Sequence, residues 1–203
     1  MPELPSPCEC GDPIKTPGSV VFVGTFDDRK GVTQLLESWS HVQESNPDAF
    51  LTIMGQGPLA TEVERLSGRL SNVEVVYDPP RVEIHRAFRF AEIGVLLSQP
   101  NERWREQLGL PIFEAVAHGA EVIASAESGL AGWLQNNGHA VLEAHASPAE
   151  LGASINLLLQ SPRDPAVILA QLPETHGRIS ADRWLVREPV LHARSPTRRR
   201  THG

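Results

Sequence analysis

The stretch EQLGLPIFEAVAHGAEVIAS, residues 106–125, contains a helix start, a helix end and the strand that follows. Pro111 suits the first position of a helix because a missing N–H costs nothing there. Gly119 suits the residue that ends a helix in the left-handed conformation. The run EVIAS is short, largely apolar and bounded by turn residues, which is typical of a buried strand. We therefore predict a helix over residues 111–117 and a strand over residues 121–125.

The start of this helix has the features of an anion site. Glu114 lies in the first turn, where the helix dipole favours a negative charge, and Glu106 lies on the approaching loop. The N–H groups of Gly109 and Leu110 are expected to point out of the helix end, where phosphate is the usual ligand. The two carboxylates would suit sugar hydroxyls. The same residues also fit a helix start that binds nothing.

Strand-like and helix-like segments alternate on both sides of this stretch. Apolar runs predict strands over residues 19–24, 49–55, 73–77, 92–98, 121–125 and 139–143. Helical patterns occupy residues 31–44, 58–70, 82–90, 111–117, 130–136 and 148–160. Alternation of this kind implies βαβ units, and solidly apolar strands imply a sheet covered on both faces. We predict an α/β fold with a doubly wound parallel sheet, in a single Rossmann-like domain over residues 19–160.

The remaining segments differ in composition. We expect residues 1–18 to be a flexible leader and residues 161–190 to be a C-terminal extension with a short helix over residues 179–186. Residues 191–203 are basic and are expected to be disordered. The first residues have no apolar region of the kind found in a signal peptide.

The composition bounds the kind of partner. The chain has 203 residues, an apolar share of 40% and a net charge of −7, so a nucleic-acid partner is not indicated. No apolar run approaches the length of about 18 residues that a membrane span needs. We expect a cytoplasmic protein whose membrane contact is at most peripheral.

The sequence gives no sign of a metal site. Cys8 and Cys10 are too few ligands, no second cysteine pair exists, and we interpret them as free thiols. Three histidines show no spacing typical of metal ligands: His85, His139 and His145. His118 is interpreted as a favourable partner of the helix dipole at a helix end. We expect no metal and no cofactor.

Several loops after predicted strands contain glycine, and ligands of such sheets bind at the carboxyl ends of strands. Lys30 stands in the loop over residues 24–31, where it could reach a diphosphate. Gly55 and Gly57 follow the second strand and suit a close approach to a flat base or ribose. Because they do not form G-x-G-x-x-G with a later acid, a nicotinamide- or flavin-dependent oxidoreductase is the weaker alternative.

The order of these motifs resembles the C-terminal, nucleotide-sugar-binding half of a GT-B glycosyltransferase of the retaining family 4 type. The motifs that carry the resemblance are FVGTFDDRKG, TIMGQGP, FAEIGVLLSQP, EQLGLPIFEAVAHGAEVIAS and ESGL, within residues 19–160. Glu106 and Glu114, with seven residues between them, match the acid pair of that family. The resemblance implies transfer of a sugar from a nucleoside diphosphate to a hydroxyl, with retention and without a metal.

The resemblance also implies residue roles. Glu106 would be the catalytic residue that approaches the donor sugar, and Glu114 would bond the ribose. The other donor-binding residues would form two groups. The group at the diphosphate would be Lys30, Gly24, Thr25, Gly109 and Leu110. The group that borders the base would be Gly55, Gly57 and Asp78.

This sequence departs from the family pattern at several positions. Thr25 stands where arginine is usual, Gln107 and Ser128 replace glycines, Gly132 replaces an acid and Glu121 replaces a proline. A GT-B enzyme also has an acceptor domain, and the 18 residues before Ser19 are too few to form one. We therefore expect a separate acceptor domain or a homodimer, and an exposed apolar patch on the cleft side near Trp184 and Leu185. The alternative is a non-catalytic nucleotide-sugar-binding module, so activity of the chain alone stays open.

Overall fold

A computed structural model describes residues 4–100 and 109–174. Six parallel strands form one sheet in the order β3-β2-β1-β4-β5-β6. The strands are β1 Ser19–Val23, β2 Phe50–Gly55, β3 Val73–Tyr77, β4 Ile93–Leu96, β5 Glu121–Ser125 and β6 Ala140–Leu142. This topology confirms the predicted doubly wound α/β fold, and each predicted strand is present within a few residues of its expected bounds.

The helices follow the strands along the chain. They are α1 Val32–Ser45, α2 Ala60–Ser67, α3 Arg81–Phe90, α4 Leu110–Ala117, α5 Ala131–Asn136, α6 Pro148–Gln160 and α7 Pro165–Leu169, with a 3-10 turn at Asp28–Lys30. The six predicted helices are confirmed. Helix α7 was not predicted, and the helix expected over residues 179–186 lies outside the described residues.

Helices cover both faces of the central strands, so the hydrophobic core has a layer on each side of the sheet. Every residue of β1 and β4 is buried, whereas the edge strand β6 is half-buried and the edge strand β3 has both half-buried and exposed residues. Helix α1 packs on α2 and α6, and α3 packs on α4, which also contacts α7. Trp39 of α1 is fully buried, and its indole Nε1 donates a hydrogen bond to the Ser71 carbonyl at 3.3 Å.

Residues 4–18, the described part of the predicted leader, run along α3 and the end of α4. The Cys8 N–H donates to the Ala117 carbonyl at 2.8 Å, and the Thr16 N–H donates to the Phe90 carbonyl at 2.8 Å. The Lys15 ammonium donates to the carbonyls of Phe88 and His118 at 3.1 and 2.9 Å. The flexibility that we expected of this segment stays a prediction.

Among the helices of residues 4–100 and 109–174, none combines the length and the apolar character that crossing a membrane requires.

Candidate functional site

The strand order places a topological switch point between β1 and β4. From β1 the chain proceeds outward to β2 and β3, and it then returns to β4 on the other side of β1. We call the carboxyl edge of the sheet at this point, where the parallel strands end, the crevice. Ligands of doubly wound sheets bind in such a crevice.

The loops after β1 and β2 contact each other through their backbones. The Gly24 N–H donates to the Met54 carbonyl at 3.0 Å, and the Phe26 N–H donates to the Gln56 carbonyl at 2.9 Å. A Cβ at Gly55 would lie 1.9 Å from the Gly24 carbonyl oxygen, and one at Gly57 would lie 2.5 Å from that of Phe26. The packing of the two loops is thus a sufficient reason for both glycines, with or without a ligand.

Four of the predicted donor-binding residues line one cleft beside these loops: Gly24, Thr25, Gly55 and Asp78. Asp78 is exposed and has a positive φ of 46°, which turns the chain sharply at the end of β3. The Gln56 amide donates to the Asp78 carboxylate at 3.2 Å and closes one side of the cleft. Thr25 is also exposed. Two of the three residues expected to border the base, Gly55 and Asp78, thus lie at this cleft together with Gly24 and Thr25, which were expected on the diphosphate side.

Lys30 ends the 3-10 turn that follows this cleft, and its side chain is half-buried. Gly31 after it has a φ of 68°, and a Cβ there would lie 2.7 Å from the Leu97 carbonyl oxygen. The Gln99 N–H donates to the Arg29 carbonyl at 2.8 Å. These contacts fix the Lys30 turn against the end of β4.

The N-terminus of α4 lies at the end of the same strand. Gly109 caps the helix with a φ of 54°, and a Cβ there would lie 3.3 Å from the Leu96 side chain. Helix α4 begins at Leu110, one residue before the predicted start, and Pro111 occupies its first turn. The Lys30 turn and the head of α4 thus flank the end of β4.

Glu114 is the fifth residue of α4, just past the first turn in which we predicted it, because the helix begins at Leu110. Only 12% of its side chain is exposed. Its carboxylate forms an ion pair with Arg81, the first residue of α3, whose side chain is 65% exposed. The sequence analysis missed Arg81. The available signal was a basic residue directly after the Asp78 turn, in the sequence DPPR.

Three exposed apolar side chains also lie at this edge. Tyr77 ends β3, Val82 lies in the first turn of α3 and Leu110 begins α4, with exposed fractions of 46%, 72% and 64%. Their position is on the side where an apolar patch was expected. Trp184 and Leu185, which were expected to belong to that patch, lie outside the described residues.

The catalytic candidate Glu106 and the neighbouring Gln107 lie outside the described residues. Glu121, which replaces the proline of the family pattern, lies at the start of β5, on the opposite edge of the sheet from the cleft. Glu121 is buried there, accepts the Arg163 N–H at 3.0 Å and pairs with the Arg163 guanidinium at 3.1 Å. This departure therefore has a structural role away from the crevice.

Comparison with known proteins identifies the fold. The profile described as Glycosyl transferases group 1 matches residues 12–171. No curated protein matches the chain. A mutant of S. aureus TarM, in complex with fondaparinux, alpha-GlcNAc-glycerol and UDP, has a TM-score of 0.68 at 16% identity; the match covers 86% of this chain and 36% of TarM.

Two further solved structures are similar. The pneumococcal O-GlcNAc transferase GtfA, in complex with UDP and GlcNAc, has a TM-score of 0.68 at 15% identity and covers 90% of this chain and 37% of GtfA. The C-terminal domain of a glycosyl transferase group 1 family protein, LpcC from Francisella tularensis, has a TM-score of 0.59 at 18% identity and covers 78% of this chain and 88% of that domain. The chain spans roughly a third of TarM and of GtfA.

Proposed function

The chain belongs to the group 1 glycosyl transferases, and from this premise we propose that it binds a nucleoside-diphosphate sugar at the carboxyl edge of its sheet. The sugar is then transferred to a hydroxyl acceptor with retention of configuration. One observation carries the proposal. The head of α4 and the Lys30 turn flank the end of β4, at the topological switch point where such sheets bind ligands.

The diphosphate is the part of the donor that this edge suits best. A helix N-terminus carries a partial positive charge of about +0.5 and presents backbone N–H groups, so it binds phosphate without a cation. Gly109 and Leu110 form that terminus, and Lys30 adds a full charge from the neighbouring turn. Donors fixed in this way stabilise charge that develops on a leaving diphosphate. We propose no metal for this step.

The position of the diphosphate determines where the base and the ribose would bind. The cleft lined by Gly24, Gly55 and Asp78 accepts the base, with the Gln56–Asp78 pair at its side. Glu114 accepts hydrogen bonds from the ribose hydroxyls. Because Glu114 is paired with Arg81, a bound ribose must share the carboxylate with Arg81 or replace it.

The acceptor approaches from the open side of the same edge. There Tyr77, Val82 and Leu110 present apolar surface that suits a second domain, a partner subunit or another copy of this chain. Glu106 is proposed to approach the donor sugar. The structures of TarM and GtfA contain UDP in their complexes, so a uridine nucleotide is the first donor to try.

Calorimetric titration tests the binding step. We expect UDP or GDP to bind more tightly than the matching nucleoside, and NADH not to bind. Lys30→Ala should weaken binding of the nucleoside diphosphate and leave the affinity for the nucleoside unchanged. Arg69→Ala, which removes an exposed charge after α2, should change neither affinity. Tight NADH binding with indifference to UDP and GDP would show that the proposal is wrong.

Release of the nucleoside diphosphate tests the transfer step separately. With a donor sugar and a hydroxyl acceptor present, release in step with acceptor glycosylation would support transfer. Binding without release, under the same conditions and with a candidate acceptor domain added, would favour the non-catalytic module.

A further inference from the structure

Four side chains of the kind that bind metals meet at the end of the molecule opposite the crevice. Cys8 and Cys10 come from the leader, His85 from the middle of α3 and His118 from the residue that ends α4. Their nearest ligand atoms all lie within 4.8 Å of one another. We name this group the Cys–His cluster. It is separate from the crevice, because Gly109 and His118 are at opposite ends of α4.

Three of the distances between the ligand atoms are those of a tetrahedral site. The Cys8 sulfur lies 3.8 Å from His85 Nδ1, and the Cys10 sulfur lies 3.2 Å from His118 Nε2. His85 Nδ1 and His118 Nε2 are 3.2 Å apart. Zinc bonds of about 2.3 Å to sulfur and about 2.0 Å to nitrogen imply edges of roughly 3.3–3.8 Å in a tetrahedron. These three distances agree with such edges to within a few tenths of an ångström.

The backbone around the cluster prepares His118 as a ligand. Its Nδ1 donates a hydrogen bond to the Glu114 carbonyl at 2.6 Å, which leaves the lone pair of Nε2 directed at the cluster. A metal-bound imidazole almost always donates its other N–H in this way, because that bond fixes the tautomer and the ring orientation. His118 is only 3% exposed. The ring is thus held in one position by its own helix.

The leader is tied to the same place. The Cys8 N–H donates to the Ala117 carbonyl at 2.8 Å, directly before His118. The Cys10 N–H is directed at the Cys8 sulfur at 3.4 Å. Two thiolates and two neutral imidazoles would balance the charge of a divalent ion. Arg89, whose guanidinium donates to the Asp12 carbonyl, adds positive charge near Cys10.

We propose that Cys8, Cys10, His85 and His118 bind one zinc ion in a closed structural site that fastens the leader to α3 and α4. Two thiolates and two imidazoles in tetrahedral positions select zinc among common divalent ions. All four positions are filled by protein, so the site supplies no open coordination for catalysis. The proposal replaces our interpretation of the two cysteines as free thiols. It does not change the metal-free chemistry proposed for sugar transfer.

The site could not be recognised from sequence spacing. Cys8 and Cys10 form a C-x-C pair rather than the wider pairs of zinc motifs, and His85 and His118 belong to different helices. Only the packing of α3 on α4, and of residues 4–18 along both helices, brings the four side chains together.

Metal binding by the full chain, purified without a histidine tag and kept reduced, tests the proposal. After removal of metals by a chelator, competition with a chromophoric chelator should show about one tight zinc per chain. Cobalt substitution should give the ligand-field bands of a tetrahedral ion and a thiolate-to-cobalt charge-transfer band.

Variants assign the ligands. Cys10→Ser, at an exposed position, should weaken zinc binding at least about tenfold, since loss of a second-shell partner alone costs about 10–100-fold. His85→Gln should do the same. His145→Ala removes an exposed histidine outside the cluster and should leave the affinity unchanged. Circular dichroism checks that each variant is folded. His118 is not replaced, because it is buried and its loss could unfold the chain.

Two results would overturn the proposal. One is zinc binding by the parent that is no tighter than binding by the Cys8→Ser/Cys10→Ser double variant. The other is a tight cobalt complex that lacks the thiolate-to-cobalt band.

Discussion

At Gly55 one loop contacts the next so closely that no side chain fits between them. A Cβ there would lie 1.9 Å from the Gly24 carbonyl oxygen, and the φ of 151° is one that other residues rarely adopt. We predict that Gly55→Ala lowers the free energy of unfolding by about 1–3 kcal/mol, the usual cost of forcing extra atoms into a packed site. Urea denaturation measures this change.

Gly132 provides the matched control for that substitution. It lies in α5 with nothing within 4 Å of the position of a Cβ. Gly132→Ala should leave the stability unchanged or raise it by about 0.5–1 kcal/mol, because alanine is the better helix former. Equal losses in the two variants would contradict the close-contact explanation of Gly55.

Glu114 is the residue at which the proposed ribose contact is best tested. Glu114→Ala should weaken UDP binding by about tenfold or more, since hydrogen bonds to a charged group contribute about 1.5–3 kcal/mol. Glu83→Ala, which removes an exposed acid from the first turn of α3, is the control. Calorimetry with UDP and with its 2′,3′-dideoxy analogue measures both affinities.

The dideoxy analogue makes this test specific. The parent should prefer UDP to the analogue, and Glu114→Ala should lose that preference because the acceptor of the ribose hydroxyls is gone. A variant that binds more weakly but keeps the full preference would place Glu114 away from the ribose.

At the level of elements, helix α6 shows how much of the fold local sequence determines. Its predicted bounds, residues 148–160, are those observed. The Ser147 hydroxyl accepts the Glu150 N–H at 3.3 Å, while the Glu150 carboxylate accepts the Ser147 N–H at 2.7 Å. This capping box, with Pro148 at the first helical position, can be read directly from the sequence SPAE.

We predict that Ser147→Ala lowers the free energy of unfolding by about 1 kcal/mol, the typical cost of losing an N-cap side chain. Ser40→Ala, at an exposed position inside α1, should be neutral because no cap is lost there. Urea denaturation of the two variants measures the difference. If both lose the same stability, the capping box does not stabilise α6.

Helix α7 shows where local reading fails. It has only five residues, and it follows a stretch rich in proline and polar residues. Its N-cap was readable, since the Asp164 carboxylate accepts the Ala166 N–H at 2.8 Å. Its stability instead comes from tertiary packing, because Ile168 is buried against Val116 and Ala117 of α4. Contacts of this kind have no periodic signature in the sequence.

At the scale of the whole molecule, the crevice could be predicted from local sequence, whereas the Cys–His cluster depends on tertiary packing. The crevice could be predicted because each loop follows its own strand, and parallel strands end at one edge. The Arg81–Glu114 ion pair and the pair of His85 and His118 each join α3 to α4. Such pairs depend on how two helices pack, which the pattern of one helix does not determine.

The acid stability of the whole domain should depend on His139, which lies before β6 and is 5% exposed. Its Nδ1 accepts the Val122 N–H at 3.2 Å and lies 2.9 Å from the Arg163 guanidinium. Burial, with the Arg163 charge beside it, lowers the pKa of His139 from 6.5 to about 3. The folded protein therefore keeps this ring neutral at pH values where the unfolded chain protonates it.

The sign of the effect follows from proton linkage. Between about pH 6.5 and pH 3 the unfolded state binds the additional proton, so stability falls as the pH falls, by up to about 1.4 kcal/mol per pH unit. Above pH 6.5 this contribution is constant. His139→Asn should flatten that part of the pH profile in urea denaturation, whereas His145→Asn, at an exposed position, should not. An unchanged slope in His139→Asn would exclude His139 as its source.

Helix α4 has only eight residues, so its two ends are about 12 Å apart. One end borders the proposed nucleotide crevice, and the other supplies His118 to the Cys–His cluster. Thermodynamic linkage makes any coupling between the two ends reciprocal, so the factor by which zinc changes the nucleotide affinity equals the factor by which the nucleotide changes the zinc affinity. Nucleotide titrations in buffers with and without EDTA would measure that factor, and affinities obtained in one buffer describe only that state of the helix.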